Sequence, residues 1–126
     1  MRFGLLMGLF LATSVSAHEM TPTYFEFKSY PYADTISTTQ IKLFNRREDV
    51  NYYEISVFDS EWNPIPFAAT NKIVKIEYLN KKTIDIFVRN QDLPGLTYIC
   101  TLSKLEKDVI TSGAISSRIC SKMKEK

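Results

Sequence analysis

The run Tyr52-Tyr53-Glu54-Ile55-Ser56-Val57-Phe58-Asp59 sets Tyr53, Ile55 and Val57 against Glu54 and Ser56, and this period of two constrains the chain more than any other feature. Successive side chains of a strand point to opposite faces, so such alternation buries one face in a core and leaves the other wet. Similar short runs recur. Tyr24-Phe25-Glu26-Phe27-Lys28 reads as a first strand, and Thr38 to Asn45 as a second with Ile41 and Leu43 on one face. Ile73 to Tyr78 reads as a fourth, and Ile84, Ile86 and Val88 against Asp85 and Arg89 as a fifth, the two joined as a hairpin through Asn80-Lys81-Lys82. The orientation of Phe87 stays open, because it interrupts the polar face of that strand. Leu96 to Leu105 and Ala114 to Met123 bring the expected total to about seven strands. Between the third and fourth, Pro64 and Pro66 cannot donate to a ladder, which predicts a crossover between sheets over Asp59 to Pro66.

Residues 1 to 17 stand apart from this pattern. Arg2, an apolar stretch from Phe3 to Ala12, and small residues at Val15 and Ala17 read as a cleaved export signal, with His18 first in the mature chain. The stretch is shorter than the roughly 17 to 25 apolar residues of a spanning helix, so no stable membrane anchor is expected. Removing it from the 126 residues leaves about 110, the size of one ordinary domain. The reading is therefore a signal over 1–17 and a single domain over 18–126, ending in a basic tail at Lys122, Lys124 and Lys126. A formal charge of only +2 gives nucleic acid no electrostatic footprint. Seven short strands at turn-bounded intervals in one small domain predict an all-β, immunoglobulin-like β-sandwich.

The chain has two cysteines, Cys100 and Cys120. In an exported protein a disulfide is their default state, and closing a loop of about 20 residues contributes on the order of 3 kcal/mol. The second strand contains no cysteine, so the bridge joins the last two strands rather than the two sheets. That pairing sets Leu102 opposite Arg118 and Lys104 opposite Ser116. Tyr98, two residues before Cys100, occupies the position of a tyrosine corner. The hairpin tip then falls around Lys107 to Gly113, where Val109 and Ile110 are either a contact patch or two tolerated exposed residues.

Catalytic chemistry has little to work with. A serine or cysteine nucleophile paired with histidine would rest on His18, the single histidine of the chain. Cleavage after Ala17 would put an α-amine and an imidazole on that residue, a nitrogen pair suited to copper, which leaves a copper or small-molecule binder as an alternative. No other cofactor is indicated. Glu48, Asp49, Glu54, Asp59 and Glu61 lie in turns or on polar faces beside Arg46 and Arg47, with no spacing that selects acid–base catalysis. Trp62 is either a binding aromatic or a cover over the sandwich rim.

Three segments, Ile41-Lys42-Leu43-Phe44-Asn45, Tyr53 to Asp59, and Ile84-Asp85-Ile86-Phe87-Val88-Arg89 followed by the tyrosine-bearing strand, resemble the N-terminal immunoglobulin-like domain of periplasmic chaperones of the chaperone–usher pilus pathway. The resemblance runs from Tyr24 to Met123 at the level of pattern, without a counterpart of the second chaperone domain. It implies a periplasmic or secreted, non-enzymatic protein whose partner is another protein, such as a pilus or surface-structure subunit, or else a structural subunit that assembles by strand exchange. It also implies strand addition along the last strand, where Ile115, Ile119 and Met123 would be the side chains lent to the partner. Lys28 with Arg118 or Lys122 would be the positions that hold a terminal carboxylate, and one branch of the family carries a disulfide where Cys100 and Cys120 fall.

Overall fold

The computed structural model describes residues 18–104 and 116–125. Among these residues there are nine strands: β1 (Glu19–Thr21), β2 (Tyr24–Phe25), β3 (Lys28–Ser29), β4 (Ile36–Phe44), β5 (Tyr52–Asp59), β6 (Ile73–Lys75), β7 (Lys81–Arg89), β8 (Leu96–Lys104) and β9 (Arg118–Met123). They form two sheets. In the first, β7 lies along one edge of β4 while β1 and β3 share the other; the second runs β2-β9-β8-β5-β6. The all-β sandwich expected from the sequence is therefore present, with nine strands rather than seven because the N-terminal segment divides into three.

That division has a local cause. β1 pairs antiparallel with the end of β4, Glu19 opposite Phe44, and the chain then leaves the first sheet at Pro22. Tyr24 and Phe25 pair in parallel with Lys122 and Met123 of β9, which turns Phe25 into the core. Lys28 and Ser29 return to β4 opposite Thr38 and Ser37. Thr39 Oγ1 donates to Glu26 O across the gap left in the β4 edge. One segment thus ties an edge of each sheet to the other, so the sandwich is closed on that side by its own N-terminal residues.

The core follows the period-two pattern. Ile41 and Leu43 of β4 and Ile84, Ile86 and Val88 of β7 face Tyr53, Ile55 and Val57 of β5 and Ile99 of β8, all buried. Phe25, Val50, Val74, Ile76 and Leu96 close the ends of this cluster. At roughly 1.5 to 3 kcal/mol for each large apolar side chain removed from water, this layer is the main favourable term in folding. The question left open at Phe87 is resolved outward: its ring meets Tyr30 edge-on, with centroids 5.2 Å apart.

Two connections differ from the sequence reading. The segment after β6 is not the turn of a hairpin, because β6 ladders with β5 and β7 with β4. Residues 76–80 instead carry the chain from one sheet to the other, held by Ile76 N–H to Asn51 O and Leu79 N–H to Asn45 O. A hairpin is indistinguishable from this in a local pattern, since both need a polar turn between two alternating runs. The crossover expected near the prolines is the second difference: β5 and β6 pair within the second sheet, Pro64 bridges Phe58 of that same sheet, and the chain between them touches the first sheet only through the isolated bridge of Ala68 with Phe87.

Candidate functional site

The β9 strand holds three of the residues singled out for partner binding, Arg118, Ile119 and Met123. It pairs with β8 in the expected register, Leu102 opposite Arg118 and Cys100 opposite Cys120. The cysteines are bonded, with Cα atoms 4.0 Å apart. Lys122 N–H points away from β8 and donates to Thr23 O, and Lys124 N–H donates to Phe25 O. Backbone direction alternates along an antiparallel strand, so the N–H and C=O groups of Cys120 and Arg118 point to the same outer side. Among the described residues no strand ladders with them there, since β2 pairs with Lys122 and Met123 only. The strand is an edge over its first half and an interior strand over its last two residues.

The predicted site residues are distributed unequally around that edge. Ile119 and Met123 face inward and are half-buried against the core. Arg118 is exposed on the outer face, its guanidinium 5.5 Å from the centroid of the Phe58 ring. Lys28 lies elsewhere: it is opposite Thr38 in the first sheet. Arg118 is on β9 of the second sheet, opposite Leu102 of β8. The structure therefore does not bring them together. Val109, Ile110 and Ile115 lie outside the described residues.

His18 has a different role from the one a chelating terminus requires. Its ring is 2% exposed, lies 4.6 Å from the Tyr53 ring, and contacts Thr101 Oγ1 through Nε2 at 2.8 Å and Ser117 Oγ through Nδ1 at 3.3 Å. Burial pushes its pKa down to about 4, opposed by a hydrogen bond at Thr101 and assisted by the nearby Arg47 charge. A ring buried in the sandwich with both nitrogens in contact with hydroxyls is not presented as the chelating terminus that the copper alternative requires. No cluster of three or more histidine, cysteine or carboxylate side chains is placed to hold a metal among the described residues.

The least legible element is Asn45, which is wholly buried. Its Nδ2 donates to Val50 O at 2.7 Å and to Ile76 O at 2.8 Å, while Oδ1 accepts from Arg47 N–H and from the Tyr53 hydroxyl. One amide thereby ties together the two connections that cross between the sheets, through Arg47 and Val50 and through Ile76, and the β5 strand through Tyr53. Desolvation raises the Tyr53 hydroxyl to about 12, so it remains a donor throughout the physiological range. Beside it, the buried Arg47 side chain is paired with Asp49, whose carboxyl the guanidinium holds below its ordinary range. Asn at the end of an apolar run signals only a turn in the sequence.

On the outer face of the second sheet, Trp62 stacks flat on Tyr98, with centroids 4.2 Å apart and planes 2° from parallel. The tyrosine-corner expectation is corrected here: the Tyr98 hydroxyl makes no hydrogen bond among the described residues, and its ring serves Trp62 instead. Near the C-terminal end of β9, Phe27, Leu93, Leu96 and Met123 line an open groove of about 710 Å³.

These features define a class: an immunoglobulin-like sandwich whose N-terminal segment switches between the sheets and whose last strand is, among the described residues, an open edge over its first half. The solved structure of the E. coli chaperone DraB has this fold, with a TM-score of 0.61 at 14% sequence identity, covering 85% of this chain and 53% of that one. The chain thus spans about half the length of that chaperone. No known protein family matches the chain, and no curated protein matches it in sequence.

Proposed function

We propose that this protein is a non-enzymatic assembly module that captures another protein by strand addition at the outer edge of β9. The observation that carries this reading is the outward-facing backbone of Arg118 and Cys120, which ladders with no strand among the described residues, beside a stretch that β2 already shows can accept a parallel strand. An exposed row of N–H and C=O groups is a template for one more strand, and the main chain supplies the affinity. The disulfide to Cys100 holds the edge strand against β8 so that it is not drawn out of the sheet. The shared fold of the DraB chaperone supports an assembly role, and the partner we infer is a subunit of a pilus or other surface structure. The setting is periplasmic or secreted, with residues 1–17 removed as an export signal; this is consistent with a disulfide-bonded chain.

Proline at position 118 tests the proposal, because it removes an N–H that faces the open side and no bond of the β8 ladder. The R118P variant should keep its β-sheet circular dichroism and lose the partner that co-purifies with the wild-type protein from the envelope fraction. Retention of that partner by folded R118P moves the interface off β9.

A further inference from the structure

Trp62 is held in a conformation that a bulky L-residue seldom adopts, at φ 66°. The turn that holds it is built around one carboxylate. Asp59 Oδ1 accepts from the backbone N–H groups of Glu61 and Asn63 at 2.9 and 2.8 Å, Oδ2 accepts from Asn63 Nδ2, and Trp62 N–H donates to Asp59 O. Those hydrogen bonds, the one from Asn63 N–H foremost, keep the Asp59 carboxyl below its ordinary pKa and therefore charged. A strained turn with this much internal support sets the position of one side chain, and backbone strain of this kind collects where a site must be pre-formed. The side chain it positions is not in the core. The indole is 47% exposed, with one face covered by Tyr98 and the Phe58 ring alongside at 5.6 Å.

Two cations border the rings. Lys122 is the register partner of Tyr98, so its side chain stands next to that ring on the same face. Arg118 extends its guanidinium over Phe58 from the other side. Neither has a carboxylate partner among the described residues, whereas the neighbouring cation Lys104 pairs with Glu54. The arrangement is a rigid flat apolar plate with two cations on its β9 side that form no ion pair among the described residues, while the Asp59 carboxylate is engaged within its own turn. A flat plate suits a ligand that is itself flat and apolar on one face with polar groups around its perimeter, and the rim requires an anion. A pyranose ring carrying a carboxylate has both properties: its axial C–H bonds form the apolar face, and its hydroxyls and carboxylate lie at the edge.

We propose that Trp62 stacked on Tyr98, with Arg118 and Lys122 at its rim, is a binding platform for acidic saccharides. Because the indole is already fixed by the Asp59 turn, binding orders few side chains, and the available contact is not spent on that ordering. The carboxylate of the sugar meets Arg118 or Lys122 in a charge-assisted contact that neutral sugars lack.

The chain has a single tryptophan, so intrinsic fluorescence reports on this platform directly. Titration of the whole protein with oligogalacturonate should give a saturable change in Trp62 emission, at an affinity about tenfold or more above that for maltotriose. R118Q and K122Q should each remove most of that preference while leaving the circular dichroism unchanged. W62A, followed by calorimetry because it has no reporter, should abolish binding of both oligosaccharides. An absent or non-saturating emission change overturns the proposal, as does equal response to maltotriose. Equal binding of polyglutamate also overturns it, since the platform would then recognise acidic polymers irrespective of the ring. If R118Q and K122Q both bind like the wild type, the rim charges have no part and the proposal fails.

Discussion

His18 and Thr101 meet side chain to side chain at 2.8 Å in the interior of the sandwich, 83 positions apart in the chain. The contact pins the start of the N-terminal segment to β8, and a second one through Ser117 pins it to the residue that precedes the open edge. The imidazole thus sits where N-terminal closure and the proposed partner edge meet.

The burial of that ring makes stability depend on pH. His18 has a folded pKa near 4 against an ordinary value of 6.5, so the unfolded chain binds the extra proton more readily. Its stabilising contribution is fully present above about pH 6.5 and is lost as the pH falls toward 4, by a total on the order of 3 kcal/mol. Urea unfolding at pH 7, 5.5 and 4 should show this decline, and H18Q, which hydrogen-bonds without titrating, should flatten it. A wild-type profile no steeper than that of H18Q over this window contradicts the buried neutral ring.

Removing the amide of Asn45 should be among the most damaging single changes in the domain. N45A leaves the Val50 and Ile76 carbonyls and the Tyr53 hydroxyl buried without their partner, at about 1 to 3 kcal/mol for each group. For a domain with a total stability of about 5 to 15 kcal/mol, the variant is expected to be largely unfolded at 37 °C. N45D, of the same shape but unable to donate, should be nearly as harmful, whereas Y53F, which deletes a single bond, should cost about 1 to 2 kcal/mol. Thermal melts of the three variants provide the comparison.

Replacing Cys100 and Cys120 together by serine should leave the strand content intact and lower the thermal midpoint. The lost constraint is about 3 kcal/mol, and a domain of this size shifts by roughly 4 to 8 °C per kcal/mol, so a fall of at least ten degrees is expected. A melt within two or three degrees of the wild type would show that the ladder alone holds β9.

Processing can be read by mass. If residues 1–17 are an export signal, protein recovered from the envelope compartment should begin at His18. The buried position of that side chain adds a kinetic expectation: cleavage acts on the unfolded chain, and refolded precursor should resist signal peptidase in vitro. Ready cleavage of folded precursor would mean that β1 detaches easily from β4.

Much of the architecture is legible from residues alone, because it rests on local periodicity. Tyr53, Ile55 and Val57, or Ile84, Ile86 and Val88, declare which face is buried by alternating with polar neighbours, and burial follows them. The pairing of Cys100 with Cys120 likewise needed only the count of cysteines and the absence of one in the second strand, and it carried the β8–β9 register with it. What no window of sequence contains is the choice of neighbour. Tyr24 and Phe25 pair with β9 while Lys28 and Ser29, three residues on, pair with β4, because closing both sheet edges is a property of the assembled sandwich. The same holds for β6, which reads as one arm of a hairpin and ladders with β5 instead. Asn45, His18 and Trp62 show the limit most plainly: an amide, an imidazole and an indole that look like turn, terminus and rim acquire their partners only when distant segments converge. Hydrophobic periodicity is a short-range signal and decides which side faces in; hydrogen-bond satisfaction and ring stacking are three-dimensional conditions, and the tertiary structure alone decided them.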